Sequence, residues 1–309
     1  MGKIAFLYPG QGAQKTGMGK DFYEQCQASK AVYDRISSML NLDMPAICFE
    51  ENDLLDQTEY TQAALATTCL AMNEMIKELG LIPSVTAGLS LGEYCAIAAA
   101  GGMDYEDAVM TVRKRGILME KAIPKGRGTM AAVLGMSVEK IETVLDGRAN
   151  VTVANYNCPG QVVITGLKEA VEEAAEELKQ AGARKLIWLN VSGPFHSPLL
   201  KRAGEKLADI LKTVKLHPLR IPYVTNVTAD FIQEDEKIKN LLTKQVTSSV
   251  RWEQSIRKMI ADGVDTFVEI GPGTTLTGFV KKIDRGVKTY HIGTVEEAYQ
   301  TVEAMKKAQ

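Results

Sequence analysis

A serine flanked by glycines is the strongest candidate for chemistry in this sequence. Ser90 lies in Gly88-Leu-Ser-Leu-Gly92, a G-x-S-x-G pattern. A short run of small and β-branched residues precedes it and an alanine-rich helical run follows, which is the strand, turn and helix that the pattern requires. Such a turn holds the serine Oγ over the N-terminus of the next helix, where free N–H groups favour an oxyanion. The pattern also occurs in structural turns, but this context favours a nucleophile.

A serine nucleophile needs a base to take its proton, and the chain has three histidines. His217 precedes a proline in a predicted surface connection. His291 lies inside a predicted strand, where a structural role is the simpler interpretation. His196 lies in a loop whose neighbouring glycine and prolines restrict the backbone, which suits a positioned base. We therefore predict that His196 activates Ser90, although no aspartate or glutamate stands out as the group that orients it.

Two arginines lie on one predicted helix that begins after Asp104 and runs to about Met119. Asp104 is expected to cap it. Arg113 and Arg115 are two positions apart, so they point in different directions and at most one can face a pocket. A solvated basic face is the better interpretation of Arg113.

The loop after the first predicted strand, Pro9-Gly-Gln-Gly12, must turn tightly. Its sequence matches neither G-x-G-x-x-G nor a P-loop, which disfavours nucleotide binding. The alternative is that it delivers backbone N–H groups to an active site.

The composition excludes several classes of protein. The 309 residues are 45% hydrophobic with a formal net charge of −2, so nothing indicates a nucleic-acid partner. No apolar run approaches the roughly 18 residues of a membrane span, and the N-terminus does not resemble a signal peptide. Five scattered cysteines without C-x-x-C support neither a disulfide framework nor a zinc site, so we expect no metal and a cytoplasmic location.

Strands and helices alternate along most of the chain, which predicts an α/β fold with a mostly parallel sheet covered on both faces. The order changes to β-α-β-β-α-β from about residue 128, which is the ferredoxin-like unit. We therefore expect residues 128–193 to form an inserted ferredoxin-like subdomain, and residues 1–127 and 194–309 to form the catalytic core.

Six motifs together resemble one known family. They are Pro9-Gly-Gln-Gly12, Gly88-x-Ser-x-Gly-Glu93, Arg115-Gly-x-x-Met119, Asn155-Tyr-Asn-x-Pro-Gly-Gln161, Gly193-Pro-Phe-His-Ser197 and Glu269-Ile-Gly-Pro-Gly273. In this order they resemble the malonyl-CoA:acyl carrier protein transacylases of bacterial fatty-acid synthesis. The resemblance extends from Met1 to the last predicted helix. It implies an α/β-hydrolase-like core with a ferredoxin-like subdomain.

The resemblance also implies roles for the catalytic residues. Ser90 would be acylated and His196 would be its base. Backbone N–H groups of Gln11 and Leu91 would form the oxyanion hole. The main-chain carbonyl of Gln245 would orient the histidine, in place of the carboxylate that the sequence did not reveal.

Substrate contacts are implied in the same way. Arg115 would pair with the free carboxylate of the malonyl group, and Asn157 would contact the substrate. Phe195 resembles the residue of malonyl-selective relatives whose bulk excludes a methyl branch. Leu89 departs from the family, which often has histidine there, and it could alter the pocket wall without loss of activity.

The implied activity is malonyl transfer from malonyl-CoA to the phosphopantetheine thiol of acyl carrier protein, by a ping-pong route without a cofactor. The alternatives are a discrete acyltransferase of a polyketide synthase, a serine esterase or thioesterase, and an idle carrier-binding module. The resemblance implies an acidic carrier protein. The candidate contacts for it are Lys179, Arg184, Lys185, Lys201, Arg202 and Lys206. The alternative interpretation, and the more common one for a run of charges, is a solvated face.

Overall fold

The structure is a computed structural model that describes residues 2–307, and within them the chain forms two β-sheets. In chain order the strands are β1 (Lys3–Tyr8), β2 (Val85–Gly88), β3 (Gly128–Leu134), β4 (Val151–Cys158), β5 (Gln161–Leu167), β6 (Lys185–Trp188), β7 (Tyr223–Val224), β8 (Phe231–Ile232), β9 (Val264–Ile270) and β10 (Lys288–Ile292). The helices are α1 (Lys20–Gln25), α2 (Gln27–Leu40), α3 (Met44–Phe49), α4 (Thr58–Glu78), α5 (Gly92–Ala99), α6 (Tyr105–Glu120), α7 (Val138–Leu145), α8 (Lys168–Gln180), α9 (Lys201–Thr213), α10 (Ile238–Gln245), α11 (Trp252–Ala261), α12 (Thr275–Ile283) and α13 (Val295–Lys307).

The larger sheet has the strand order β10-β9-β1-β2-β7-β8 and is parallel except for its last pair. Its central strand, β1, is buried along both faces beyond Lys3, as expected for a parallel strand between two helical layers. The predicted mostly parallel sheet is confirmed. Because parallel strands all end at the same edge, the carboxyl ends of β1, β2 and β9 meet in one place.

Helix α4 is the structural centre of one helical layer. It is buried along nearly its whole length and packs against α2 and α6. Small residues such as Ala63, Ala64 and Ala71 let the neighbouring helices approach closely. This packing fixes the position of α6, the helix that carries Arg115.

The smaller sheet is antiparallel, with the order β4-β5-β3-β6. Helices α7 and α8 cover one of its faces, where Ile141, Val171 and Leu178 pack against Val133 and Ile164. This is the predicted βαββαβ arrangement. A bridge between Asn155 and Val250 joins the edge strand β4 to the rest of the molecule. The boundaries at 127/128 and 193/194 stay a prediction.

Some local predictions were wrong. Asp104 precedes α6 but makes no capping hydrogen bond; its carboxylate lies 3.3 Å from His217 Nε2. The strand predicted over Pro222–Asn226 is only the two residues of β7. Helix α3 and strand β8 were not predicted, because six-residue and two-residue elements are too short to show a period. No helix within residues 2–307 is both long and apolar enough to cross a membrane.

Candidate active site

Ser90 lies on a strained turn between β2 and α5. Its φ is 57°, in the left-handed region that residues with a Cβ seldom adopt. A Cβ added at Gly88 would lie 1.9 Å from the Gly92 carbonyl oxygen, and one at Gly92 would lie 2.2 Å from the Tyr8 carbonyl oxygen. Both glycines are therefore required by close backbone packing, and the turn lifts the Ser90 side chain away from the sheet.

Asn226, two residues after the end of β7, holds this turn. Its Oδ1 accepts a 2.7 Å hydrogen bond from the Ser90 N–H, and its Nδ2 donates a 2.7 Å hydrogen bond to the Gly88 carbonyl. The sequence interpretation missed Asn226, because the residue lies 136 positions from Ser90. The available signal was its place just after a strand that neighbours β2 in the parallel sheet.

His196 contacts Ser90 through one ring nitrogen and a backbone carbonyl through the other. Its Nε2 lies 2.7 Å from Ser90 Oγ, and its Nδ1 lies 2.9 Å from the Gln245 carbonyl oxygen. Because a carbonyl only accepts, Nδ1 must carry the proton and Nε2 is free to accept from the Ser90 hydroxyl. Burial, with the positive charge of Arg115, lowers the pKa of His196 to about 4, so the ring is neutral at pH 7.

Arg115 is a buried cation whose hydrogen bonds all go to neutral groups. It is 1% exposed. Its Nη2 lies 3.0 Å from both Ser90 Oγ and Gln245 Oε1, and its Nη1 donates to Gln62 Oε1 at 2.9 Å. Its Nε has no partner in the described part of the chain. Burial lowers its pKa, and an anion entering the pocket would find a desolvated charge to pair with.

The other candidate side chains lie outside this cluster. Arg113 is half-buried, with its guanidinium carbon 5.9 Å from the centre of the Tyr60 ring. His217 contacts Asp104, and His291 Nε2 lies 2.9 Å from the Gly271 carbonyl oxygen.

Two backbone N–H groups at the site have no acceptor. Within residues 2–307, neither the N–H of Gln11 nor that of Leu91 donates a hydrogen bond to the protein. Leu91 directly precedes α5, and the end of β1 is held against the turn by a 3.0 Å hydrogen bond from the Leu89 N–H to the Tyr8 carbonyl. The loop after β1 thus lies beside Ser90.

Ser90, His196 and Arg115 open into a cavity of about 260 Å³ between the two sheets. The smaller sheet contributes one wall and the loop after β1 another. Its lining includes Leu89, Met130, Asn157, Leu189, Phe195, Leu276 and Phe279. Asn157 is almost fully buried, and its Oδ1 has no hydrogen-bond partner in the described chain.

A family profile described as an acyl transferase domain matches residues 5–306. The chain belongs to the acyl transferase family. It is 47% identical over 310 residues to the malonyl CoA-acyl carrier protein transacylase of Bacillus subtilis, with 98% of each chain covered.

Solved structures of acyl transferases share the whole fold. The malonyl CoA-acyl carrier protein transacylase of Clostridium perfringens is 41% identical, with a TM-score of 0.95 over 99% of this chain and 98% of that one. A malonyl-transacylase in complex with a type II polyketide synthase acyl-carrier protein is 35% identical, with a TM-score of 0.94 over 98% of this chain and 99% of the other. The predicted family and fold class are confirmed.

Proposed function

We propose that this acyl transferase moves a malonyl group from malonyl-CoA to the phosphopantetheine thiol of an acyl carrier protein, through a malonyl ester on Ser90. One observation carries the proposal. Ser90 Oγ lies 2.7 Å from a neutral histidine nitrogen and 3.0 Å from a buried guanidinium. A base and a carboxylate-binding group thus meet at one nucleophile, and the names of the relatives agree with that chemistry.

The first half-reaction acylates Ser90. His196 Nε2 takes the hydroxyl proton as Oγ attacks the thioester carbonyl. The backbone N–H groups of Gln11 and Leu91, which donate to no acceptor within residues 2–307, would receive the oxyanion, an interaction worth about 3 kcal/mol per donor. The Gln245 carbonyl, 2.9 Å from Nδ1, stabilises the imidazolium. The thiolate of coenzyme A then leaves and takes the proton from His196.

The second half-reaction reverses these roles. His196 takes the proton of the carrier's pantetheine thiol, and the thiolate attacks the malonyl ester. Ser90 leaves and recovers its proton from the imidazolium. Because both substrates end in pantetheine, one pocket serves both steps, and the kinetics are ping-pong.

Arg115 selects the acyl group. Its planar fork can hold a carboxylate with two parallel hydrogen bonds, which a lysine cannot do equally well. An acetyl group would leave the desolvated guanidinium unpaired, a loss of about 2–5 kcal/mol. Phe195, buried beside His196, would leave no room for a methyl branch, and Asn157 Oδ1 would accept from the substrate.

We place the reaction in the cytoplasm and in fatty-acid biosynthesis. The five cysteines are all buried and unpaired, which suits a reducing compartment. The proton transfers and charge pairing described above require only side chains and backbone groups of this chain, so no cofactor enters a step.

The likeness to a transacylase in complex with a polyketide carrier supports one alternative, a discrete acyltransferase of a polyketide synthase. The chemistry would be the same, so only the carrier distinguishes the two. A serine thioesterase would differ in its acceptor, which would be water.

The test is a transfer assay with malonyl-CoA and two phosphopantetheinylated carriers, one from fatty-acid and one from polyketide synthesis. We expect malonyl-carrier to form at the rate at which coenzyme A is released, with a higher kcat/KM for the fatty-acid carrier. A preference for the polyketide carrier would favour the alternative. Release of free malonate without malonyl-carrier would contradict the transferase and favour a thioesterase.

A further inference from the structure

Glu93 is a buried carboxylate that the mechanism above does not use. It lies in the first turn of α5, three residues after Ser90, and is 0% exposed. Acidic side chains are seldom fully buried without a partner. Here the partner is an amide, since Gln245 Nε2 donates to Glu93 Oε2 at 2.7 Å.

The side chain of Gln245 lies between Glu93 and Arg115. Its Oε1 accepts from Arg115 Nη2 at 3.0 Å, while its Nε2 donates to Glu93 and also to the Ser90 carbonyl at 2.9 Å. Its main-chain carbonyl holds His196 Nδ1. One residue therefore touches the proposed base, the proposed carboxylate-binding group and the turn that carries the nucleophile.

The two charged neighbours select the same orientation of this amide. A carboxylate oxygen without a proton only accepts, so it binds the NH2 end of Gln245. A guanidinium only donates, so it binds the carbonyl end. Turning the amide over would set oxygen against carboxylate and NH2 against guanidinium, with both pairs repelling. Glu93 and Arg115 thus hold Gln245 in one rotamer, and Gln245 in turn holds Arg115 against Ser90.

We propose that Glu93 is a positioning residue, which through the Gln245 amide fixes Arg115 where it binds the acyl carboxylate. This inference rests on the proposed malonyl transfer. It assigns to Glu93 a part in choosing the acyl group, although the carboxylate does not touch the substrate.

The role needs a hydrogen-bond acceptor rather than a negative charge. Burial raises the pKa of Glu93 to about 7. The Thr225 hydroxyl and the Asn226 backbone N–H oppose that rise in pKa, although neither makes a well-aligned hydrogen bond to Oε1. A proton on Oε1 would leave Oε2 free to accept from Gln245. A glutamine at this position could present its own amide oxygen in the same way.

The experiment compares Glu93→Gln with Glu93→Leu, measuring kcat and KM for malonyl-CoA and acetyl-CoA. Glu93→Leu removes one of the two acceptors of the Gln245 NH2 group, so the amide is held only by the Ser90 carbonyl and positions Arg115 less firmly, although Gln62 still accepts from Arg115 Nη1. We expect the preference for malonyl over acetyl to fall by about tenfold, mainly through KM for malonyl-CoA. Glu93→Gln should keep a preference within about threefold of the wild type. Glu253→Gln, on the outer helix α11 where Glu253 pairs with Arg257, is the matched control and should not change it.

Thermal denaturation checks that each variant folds. Gln245→Leu provides a second route if Glu93→Leu does not fold, because it keeps the carbonyl that holds His196 but removes the amide between Glu93 and Arg115. It should lower the malonyl preference in the same way. A folded Glu93→Leu or Gln245→Leu with unchanged preference would overturn the inference, and so would a Glu93→Gln as impaired as Glu93→Leu. Absence of malonyl transfer by the wild type would instead overturn the proposed function.

Discussion

The guanidinium of Arg115 and the imidazole of His196 both contact Ser90 Oγ, and the charge of the first affects the pKa of the second. The positive charge of Arg115 helps to hold the pKa of His196 down to about 4, after the larger effect of burial. A malonyl carboxylate paired with Arg115 would cancel part of that field. The bound acyl group would therefore make His196 a stronger base when the correct substrate is present.

The pH dependence of acylation follows from this depressed pKa. His196 acts as a base only when neutral, and with a pKa of about 4 it stays neutral from pH 8 to about 5. Protonation of His196 should therefore change the kcat/KM for malonyl-CoA, measured by stopped flow, very little between pH 5 and pH 8. The kcat/KM should fall as the pH passes through about 4. The side chain at position 93 cannot titrate in the Glu93→Gln variant. A change in rate near pH 7 that is absent from this variant would therefore come from Glu93 and not from His196. A decline centred near pH 6.5 in both proteins would contradict the prediction.

Substituting Arg115 tests selection of the acyl group. Arg115→Ala removes the buried cation, so kcat/KM for malonyl-CoA should fall by at least about 30-fold while acetyl transfer rises relative to it. Arg115→Lys keeps a charge without the planar fork and should recover only part of the loss. Equal effects on malonyl-CoA and acetyl-CoA would refute the assignment.

A site residue can be predicted from the sequence only when its role requires a recognisable pattern in the residues around it. Ser90 lies in a motif and His196 in a constrained loop, and the spacing of Arg113 and Arg115 indicated that they diverge. Gln245 contacts His196 through its backbone carbonyl, a group that every residue possesses, so only the family resemblance pointed to it. Asn226 contacts Ser90 from just beyond the end of the neighbouring strand β7, and no local sequence pattern reports such a contact.

At the scale of elements, the position of Ser90 depends on the close approach of β1, β2 and α5. Gly88→Ala places a methyl group 1.9 Å from the Gly92 carbonyl oxygen, so the turn must move. We expect acylation of Ser90 to be abolished and the free energy of unfolding to fall by about 1–3 kcal/mol, measured by urea denaturation.

Gly278 offers the matched control for that substitution. It lies within α12, and a Cβ there would meet nothing within 4 Å. Gly278→Ala should raise the free energy of unfolding by about 1 kcal/mol, since alanine favours a helix more than glycine does. An active, fully stable Gly88→Ala would show that the turn tolerates a side chain.

The longer elements were predictable and the short ones were not. Strands β1 and β9 and helix α4 bury long apolar runs, which show in the sequence. Strand β8 forms because Phe231 and Ile232 pair with β7 in an antiparallel ladder at the edge of the sheet, which depends on the assembled sheet. The contact of Asp104 with His217 likewise comes from tertiary structure, which overrode the predicted cap.

At the scale of the whole molecule, the cavity lies between two sheets of different topology, and its mouth must admit a carrier protein. The candidate basic residues Lys201, Arg202 and Lys206 on α9 are exposed, as are Arg184 and Lys185 at the start of β6. If they steer an acidic carrier, kcat/KM for the carrier should fall as salt rises. The double variant Lys201→Ala/Arg202→Ala should flatten that dependence.

Lys212 is a control from the same helix, because Asp209 at 2.7 Å already balances its charge. Lys212→Ala should keep the salt dependence of the wild type. A carrier half-reaction whose rate does not respond to salt would exclude steering by these residues.

The most direct measurement of the central claim is the intact mass of the protein after brief incubation with malonyl-CoA, with acetyl-CoA and methylmalonyl-CoA in parallel. We predict a malonyl adduct on the wild type that is absent from Ser90→Ala, that forms poorly with the other two donors, and that disappears when carrier protein is added. A malonyl adduct retained by Ser90→Ala, or coenzyme A release with no adduct on the wild type, would contradict the malonyl-serine route.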